Sequence, residues 1–341
     1  MGIFLFTLHS ICSPRAKSYI CRTPSYGGFV NNVKIITIES DFGAGKKGAK
    51  LGPQALLKEL PKQLLENIPI DIISSSEIAE EEHHEFALHI ESILEVENRA
   101  IEAIEKAVVD GFRPWIISGD HSNGLAAISA YKNLYPKNNL GVIWIDAHAD
   151  IHTPYTSPSG NMHGMPLAAA LGITNNKNSH NKVDKQVQSL WKEMIELGSK
   201  KIAPKLNPKD LVFIDIRDLE VEETNEIKEL EIKHFLPANR KDLGIKGILQ
   251  ETLEHLSHCH HILVSFDVDS MDPSISSGTG TPVHDGLSRD EAVELLSGFL
   301  SIPNLFSFEI TEINPLLDRH NPMEIAAANV LEETFKRSTF F

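Results

Sequence analysis

The sequence predicts an α/β domain with a mainly parallel central sheet and helices on both of its faces. Three observations lead there. Short apolar runs without polar alternation recur along the chain, as expected of strands covered on both faces. Stretches with apolar residues at three- and four-residue steps separate most of them. No repeat, low-complexity tract or linker interrupts residues 33–341, which read as one catalytic domain behind a poorly ordered extension over residues 1–32.

The alternation starts at Val33 to Thr37, a β-branched run that reads as the first strand. A Gly-rich stretch from Asp41 to Gly52 follows, and Pro53 suits the first turn of a helix carrying Leu56, Leu57 and Leu60. That stretch is not a phosphate loop: Gly43 and Gly48 have the spacing, but Ala49 stands where lysine is needed. Phe86, Ile90, Ile93, Leu94, Ile101, Ile104 and Val108 mark a long amphipathic helix ending at Gly111. Further strands are expected at Trp115 to Ser118, Leu140 to Ile145, Leu211 to Ile216, His261 to Phe266 and Leu305 to Ile310. Helices are expected at Gly124 to Leu134, Pro166 to Leu171, Val187 to Leu197, Leu243 to Leu256, Arg289 to Leu300 and Pro322 to Phe335, with a polar surface loop at Asn175 to Lys185.

Composition narrows the function classes. Of 341 residues 41% are hydrophobic and 23% charged, the balance of a globular chain. The formal net charge of −15 comes without a basic patch, which argues against nucleic acid as a partner. Ile3 to Cys12 is too short an apolar run to span a bilayer, and Phe6 spoils a myristoylation start at Met1-Gly2, so no membrane partner is expected. Cys12, Cys21 and Cys259 make neither a disulfide framework nor a CxxC pair, so a cytoplasmic location is expected.

Ligands in open parallel sheets bind beyond the carboxyl ends of the strands. Three expected strands run directly into polar clusters there: Gly119-Asp120-His121-Ser122, Asp146-Ala147-His148-Ala149-Asp150 and Asp267-Val268-Asp269. In an extended backbone Asp146, His148 and Asp150 point one way, as do Asp267 and Asp269. Four carboxylates in one crevice repel unless cations sit among them. The two-histidine, four-aspartate set suits Mn²⁺, with Co²⁺ or Fe²⁺ as competitors, and six side chains can serve two ions if carboxylates bridge. A lone strand-end aspartate is ordinarily a cap, the role expected of Asp120 and Asp218. His255, His258, Cys259, His260 and His261 precede a strand, so they belong to the opposite rim and read as solvated or dipole-favoured histidines at a helix end.

Ser118 to Ser122, Asp146 to Asp150, Ser265-Phe266-Asp267-Val268-Asp269-Ser270-Met271-Asp272-Pro273 and Glu312-Ile313-Asn314-Pro315 together resemble the ureohydrolase family, most closely the arginases. The resemblance runs from about Val33 to Phe335 and includes Gly48 to Pro53 and Gly278 to Pro282. It implies a three-layer α/β/α sandwich of the arginase/deacetylase-like kind, two Mn²⁺ per chain and a homotrimer or homohexamer. His121 and Asp150 would bind one ion and His148 and Asp269 the other, with Asp146 and Asp267 bridging. A bridging hydroxide would attack the guanidinium carbon, a weak electrophile that neutral water attacks poorly. Glu312 would pair with the guanidinium, and His163, in Gly160-Asn161-Met162-His163-Gly164, would carry a proton to the leaving amine. His163, Glu312 and Asp150 are thus the implied catalytic residues.

The same resemblance implies a small guanidino substrate. Thr153 to Asn161 is similar to the arginase loop that holds an α-carboxylate and offers Ser157, Ser159 and Asn161; Thr281 lies in the late glycine-bearing stretch and joins the implied contacts. Two positions depart from the pattern. His152 stands where arginases carry Asn, and Glu220 where an Asp contacts the α-amino group, while Glu223 matches a further acidic contact. L-arginine hydrolysis to L-ornithine and urea is therefore the leading expectation. Agmatinase, guanidinobutyrase or another ureohydrolase is the alternative, and a catalytically silent metal-binding regulatory subunit a remote one.

Overall fold

Eight parallel strands form one sheet in the order β2-β1-β3-β8-β7-β4-β5-β6. The computed structural model describes residues 32–79, 84–174 and 178–341. In chain order its elements are β1 Val33–Glu39, α1 Gly52–Glu59, α2 Lys62–Leu65, β2 Ile70–Ser74, α3 Ile90–Val109, β3 Arg113–Ser118, α4 Gly124–Leu134, β4 Leu140–Ile145, α5 Pro166–Leu171 and α6 Lys185–Ile195. There follow β5 Leu211–Ile214, α7 Val221–Glu229, β6 Lys233–Phe235, α8 Pro237–His255, β7 His261–Asp267, α9 Arg289–Phe299, β8 Leu305–Thr311 and α10 Met323–Arg337.

Alternate strand residues feed two separate cores, which is what makes three layers. Ile36, Ile38, Ile116, Val142, Trp144 and Phe213 face α3, α4, α5 and α6. Ile35, Trp115, Ile117, Ile143, Ile145 and Val264 face α1, α8, α9 and α10. The period-two direction of strand side chains therefore explains why the central runs are apolar throughout. Pro53 occupies the first turn of α1, and Asp184 caps α6 by accepting the Val187 N–H at 2.9 Å.

Several expected boundaries change. β2 and β6 were not anticipated. Both are edge strands, and β2 leaves Ile70 42% and Ile72 56% exposed, so it lacks the buried apolar character of the inner strands. β5 stops at Ile214 rather than Ile216 because Asp215 turns the chain at φ 71°. α8 starts at Pro237 and bends at Gly244, whose φ of 65° and ψ of 170° leave the helical region; the expected helix, starting at Leu243, begins one residue before that bend and so misses the first turns. Of the polar stretch at Asn175 to Lys185, residues 178–184 form irregular chain, Lys185 already opens α6, and 175–177 lie outside the described residues. The expected N-terminal extension likewise falls outside them apart from Asn32, whose carbonyl accepts the Arg113 N–H at 2.7 Å. No helix among the described residues is long and apolar enough to cross a membrane.

Candidate metal centre and substrate cleft

Four adjacent central strands, β3, β8, β7 and β4, deliver the functional side chains at their carboxyl ends. After β3 the chain passes Gly119, where a Cβ would strike the Ser40 carbonyl oxygen, so only glycine fits. Asp120 then caps a 3-10 turn over His121–Asn123, accepting the Ser122 N–H at 2.9 Å, and takes the Gly43 N–H at 3.0 Å as well. Its expected capping role holds. Asp218 instead lies exposed beside the cleft, 3.7 Å from His148 Nε2, and Glu220 caps α7.

The aspartate-rich clusters converge, but not through extended backbone. Asp146 accepts the His148 N–H at 2.8 Å, and Asp150 sits at φ 51°. Asp267 accepts the Asp269 N–H at 2.8 Å across a 3-10 turn over Val268–Ser270. A short carboxylate that takes the N–H two residues on folds the chain into a turn as soon as ladder partners end. The turns bring the six side chains together.

His121 Nδ1 lies 2.9 Å from Asp146 Oδ2, 3.0 Å from Asp150 Oδ2 and 3.2 Å from Asp267 Oδ2. Although close, none of these oxygens makes a hydrogen bond to Nδ1, and both His121 Nδ1 and Asp150 Oδ2 are buried without a hydrogen-bond partner. Several oxygens packed around one ring nitrogen, none hydrogen-bonded to it, is the arrangement of ligands about a cation. A second donor group joins Asp146, His148 and Asp269, with His148 Nδ1 3.1 Å from Asp269 Oδ2. Asp146 belongs to both groups, Asp267 to the first.

The surroundings hold these ligands in place. Trp144 stacks on the His121 ring at a centroid distance of 3.9 Å and donates Nε1–H to Asp146 Oδ2 at 3.0 Å. His121 Nε2 meets Ser265 Oγ at 2.9 Å, and that hydroxyl donates to the buried Glu309 at 2.9 Å. This fixes Nδ1 as the ring atom facing the aspartates. Thr281 Oγ1 donates to Asp269 Oδ2 at 3.0 Å, and the Arg217 guanidinium donates to the Asp269 carbonyl oxygen at 2.7 Å.

Electrostatics follow from burial and crowding. Burial opposes charge on His121, but Asp146, Asp150 and Asp267 outweigh it and hold its pKa well above the ordinary value. Burial and the neighbouring Asp146 push Asp150 up to about 6, and burial with Asp269 and Asp146 raises Asp267 well above the carboxylate range. Burial would raise Asp146 too, yet His121 and His148 hold it low. Such a crowd of acids accommodates positive charge readily.

Glu312 follows β8 at φ 65°, and its Oε1 accepts the His121 backbone N–H at 3.0 Å while meeting His163 Nδ1 at 3.0 Å. Burial works against the His163 charge, but Glu312 carries its pKa up to about 9; reciprocally, burial acts to raise Glu312 and His163 holds it below the usual range. A cleft of about 550 Å³ opens beside this pair, lined by Gly45, Lys46, Asn161, His163, Asp218 and Thr281 among others.

The expected substrate contacts separate. Asn161 and Thr281 line the cleft. Ser159 is exposed and accepts the Asn161 N–H at 3.2 Å. Ser157 lies beneath the loop, only 2% exposed, and accepts the Gly160 N–H at 2.9 Å, so its hydroxyl shapes the loop rather than lining the cleft. His152, Glu220 and Glu223 come together: His152 Nδ1 is 3.1 Å from Thr156 Oγ1, and its Nε2 lies 3.3 Å from Glu220 and 3.8 Å from Glu223. Glu220 and Glu223 also form the capping box of α7. Burial lowers the His152 pKa despite Glu220, and burial with the adjacent Glu220 raises Glu223 well above its usual value. Sequence reasoning did not anticipate Lys46 at the cleft, its Nζ donating to the Gly280 carbonyl at 2.6 Å. Its one available sign was a cation in a Gly-rich loop. Glu309 was also missed, being one acid inside an apolar strand run.

The histidine-rich segment does lie at the opposite rim, before β7. It is not simply solvated: His258 Nε2 meets Asp210 Oδ1 at 2.6 Å and Cys259 is buried.

The model of the Arginase family matches residues 31–336 of this chain. The arginase of Staphylococcus aureus (strain MRSA252) is 33% identical over 302 residues, covering 85% of this chain and 92% of that protein. The crystal structure of the arginase from Bacillus subtilis (strain 168) superposes with a TM-score of 0.76 at 29% identity, covering 90% of this chain and 99% of the other. That of the Entamoeba histolytica arginase in complex with L-ornithine gives 0.75 at 28% identity, covering 89% and 98%.

Proposed function

This chain belongs to the arginase family, a family of hydrolases, and we propose that it converts L-arginine and water to L-ornithine and urea. The observation that carries this is the meeting, at one rim, of the two-histidine, four-aspartate cluster with the buried Glu312–His163 pair. The Entamoeba relative was crystallised with L-ornithine, the product this reading requires.

The donor set fits two divalent ions of the manganese class, with Co²⁺ or Fe²⁺ as competitors: all six side chains are oxygen or imidazole donors, and His121 Nδ1 and Asp150 Oδ2 are buried without hydrogen bonds. His121 and Asp150 would hold one ion, His148 and Asp269 the other, with Asp146 and Asp267 shared. Bound there, such a pair supplies Lewis acidity that lowers the pKa of water. The protein does the rest. Glu312, kept ionised by His163, receives the guanidinium and orients its carbon toward the cluster. His163, kept protonated by Glu312, supplies the proton that the departing amine needs. Asn161 and Thr281 border the cleft that would take the substrate's chain, and Glu223 and Glu220, at the start of α7, would serve its α-amino group.

One observation favours a second reading. Both ring nitrogens of His152 are engaged, by Thr156 and Glu220, which leaves an α-carboxylate without the donor expected there. Agmatine has no carboxylate to satisfy, so a guanidino amine is the alternative substrate class.

Urea release from L-arginine, agmatine and 4-guanidinobutyrate by manganese-loaded protein tests the reading. L-arginine should be turned over with the highest kcat/KM. Preference for agmatine moves the assignment to the second reading, and metal binding without turnover of any of the three overturns both. We take residues 33–341 as the catalytic domain and, on the family resemblance, a homotrimer or homohexamer as the assembly; sedimentation equilibrium decides the latter. The cysteine usage supports a cytoplasmic location.

A further inference from the structure

At the rim opposite the cleft, two loops converge beneath β4. One ends in Asp210 just before β5; the other carries His258 and Cys259 between α8 and β7. Since β4 lies between β5 and β7, the two loops meet across its amino end, and Gly141 makes room: a Cβ there would approach Cys259 Sγ to 3.3 Å.

The three side chains present an oxygen, a nitrogen and a sulfur within 4.8 Å of one another. His258 Nδ1 lies 3.1 Å from the His255 carbonyl oxygen, a partner that only an N–H can serve. In the neutral ring Nε2 then carries the lone pair, and it points at Asp210 Oδ1 at 2.6 Å and Cys259 Sγ at 3.6 Å. A lone pair facing a carboxylate oxygen needs a second ring proton or a cation between them. An imidazole whose far nitrogen is tied to a backbone carbonyl is also how histidine ligands are commonly oriented. Asn207 donates to the other Asp210 oxygen at 3.0 Å, leaving Oδ1 for the shared position.

We propose that Asp210, His258 and Cys259 form a second metal site, of the zinc class, at the amino-end rim of the sheet. The donor set separates it from the catalytic cluster: a thiolate with imidazole and carboxylate favours Zn²⁺, whereas the cluster lacks sulfur. Tetrahedral zinc bonds of about 2.0 Å to nitrogen and 2.3 Å to sulfur place those atoms about 3.5 Å apart, close to the separation observed; the nitrogen and oxygen must open to about 3.3 Å. His258 is 38% exposed, so a fourth position faces solvent. Burial and Asp210 push the Cys259 thiol up to about 12, so binding must displace its proton, as zinc does with coordinating thiols. Two cations oppose this shift: Lys209, next to Asp210 in the chain, and Lys132, whose Nζ donates to the Asn138 carbonyl at 2.7 Å and which lies close enough to Asp210 and Cys259 to interact with both. Bound metal would tie the entries of β5 and β7, the two strands flanking β4, which leads into Asp146.

The test is a Co²⁺ titration of the manganese-loaded full chain, following the thiolate-to-cobalt charge-transfer band in the near ultraviolet, with zinc as competitor. The band should saturate at one equivalent, be abolished by zinc, disappear in Cys259→Ser and persist in His148→Ala, which damages only the catalytic cluster. His258→Asn, on a partly exposed side chain, should weaken cobalt binding at least about tenfold and provides a second variant should Cys259→Ser not fold. Zinc should raise the melting temperature of the wild type and leave that of His258→Asn unchanged. A missing band, a band that survives Cys259→Ser, or unchanged affinity in His258→Asn overturns the site; the second outcome would assign the sulfur to Cys12 or Cys21.

Discussion

His163 Nδ1 and Glu312 Oε1 are 3.0 Å apart, and the same oxygen takes the backbone N–H of His121, so one buried carboxylate links the ring beside the cleft to the strand end that begins the metal cluster. Glu312 sustains the charge on His163 against its burial. In Glu312→Gln that support goes, and the His163 pKa should fall from about 9 toward the ordinary value, with burial opposed only by the more distant Asp150 and Asp120. Histidine NMR titration of the metal-free variant reads this directly. An unchanged pKa would show that Asp150 and Asp120, the more distant acids, hold the ring charged instead. Turnover in manganese should fall at least about 100-fold, and His163→Ala should lose a similar amount while keeping both metals.

Asp146 belongs to both donor groups and Asp267 to one, so their removal should not be equivalent. Metal analysis after dialysis should find fewer than two manganese ions per chain in either alanine variant, with the larger deficit in Asp146→Ala. Each variant should lose activity by several orders of magnitude, since a shared carboxylate positions both ions. Two tightly held ions in Asp146→Ala would remove that residue from the ligand shell.

Substrate choice turns on His152. If the ring swings from Glu220 to an α-carboxylate when substrate binds, His152→Ala should cost about 1.5–3 kcal/mol in kcat/KM for L-arginine, the worth of a hydrogen bond to a charged group. His152→Asn should stay within about tenfold of the wild type, and agmatine should be nearly indifferent to either change. Equal losses on both substrates would mean that His152 serves its contacts to Thr156 and Glu220, holding the loop against α7.

The inner strands and the ligands were legible because each apolar run ends abruptly in acids and histidines, a contrast that survives without knowledge of the backbone path. What the pattern could not carry was geometry. Asp146, His148 and Asp150 converge through an N–H taken by Asp146 and a positive φ at Asp150, where alternation had suggested extended chain. β2 and β6 escaped because edge strands need little apolar burial, and the kink at Gly244 hid the first turns of α8. Ser157 reads like a ligand-binding hydroxyl in sequence, but a hydroxyl near a glycine turn can equally bond the turn's own N–H, and this one does.

Glu97, in the middle of α3, is fully buried with neither carboxylate oxygen hydrogen-bonded. Burial, then Glu309 and Asp120, raise its pKa well above 4.5, and Lys205 offsets only part of this. The folded state therefore keeps a proton that the unfolded chain releases above about 4.5; the stability this contributes is complete below that value and is lost as pH rises toward the folded pKa. Glu97→Gln removes the loss. Denaturant unfolding of metal-free protein should show the variant gaining at least about 1 kcal/mol on the wild type between about pH 5 and pH 8. A parallel pH dependence in the two proteins would place Glu97 as an ionised partner of Lys205.

The most direct measurement is anomalous diffraction at the manganese edge from crystals grown with Mn²⁺. The account predicts two peaks per chain about 3.5–4 Å apart, one beside His121 and Asp150, the other beside His148 and Asp269, with Asp146 and Asp267 reaching both. A single peak, or two peaks that do not share Asp146, would contradict it.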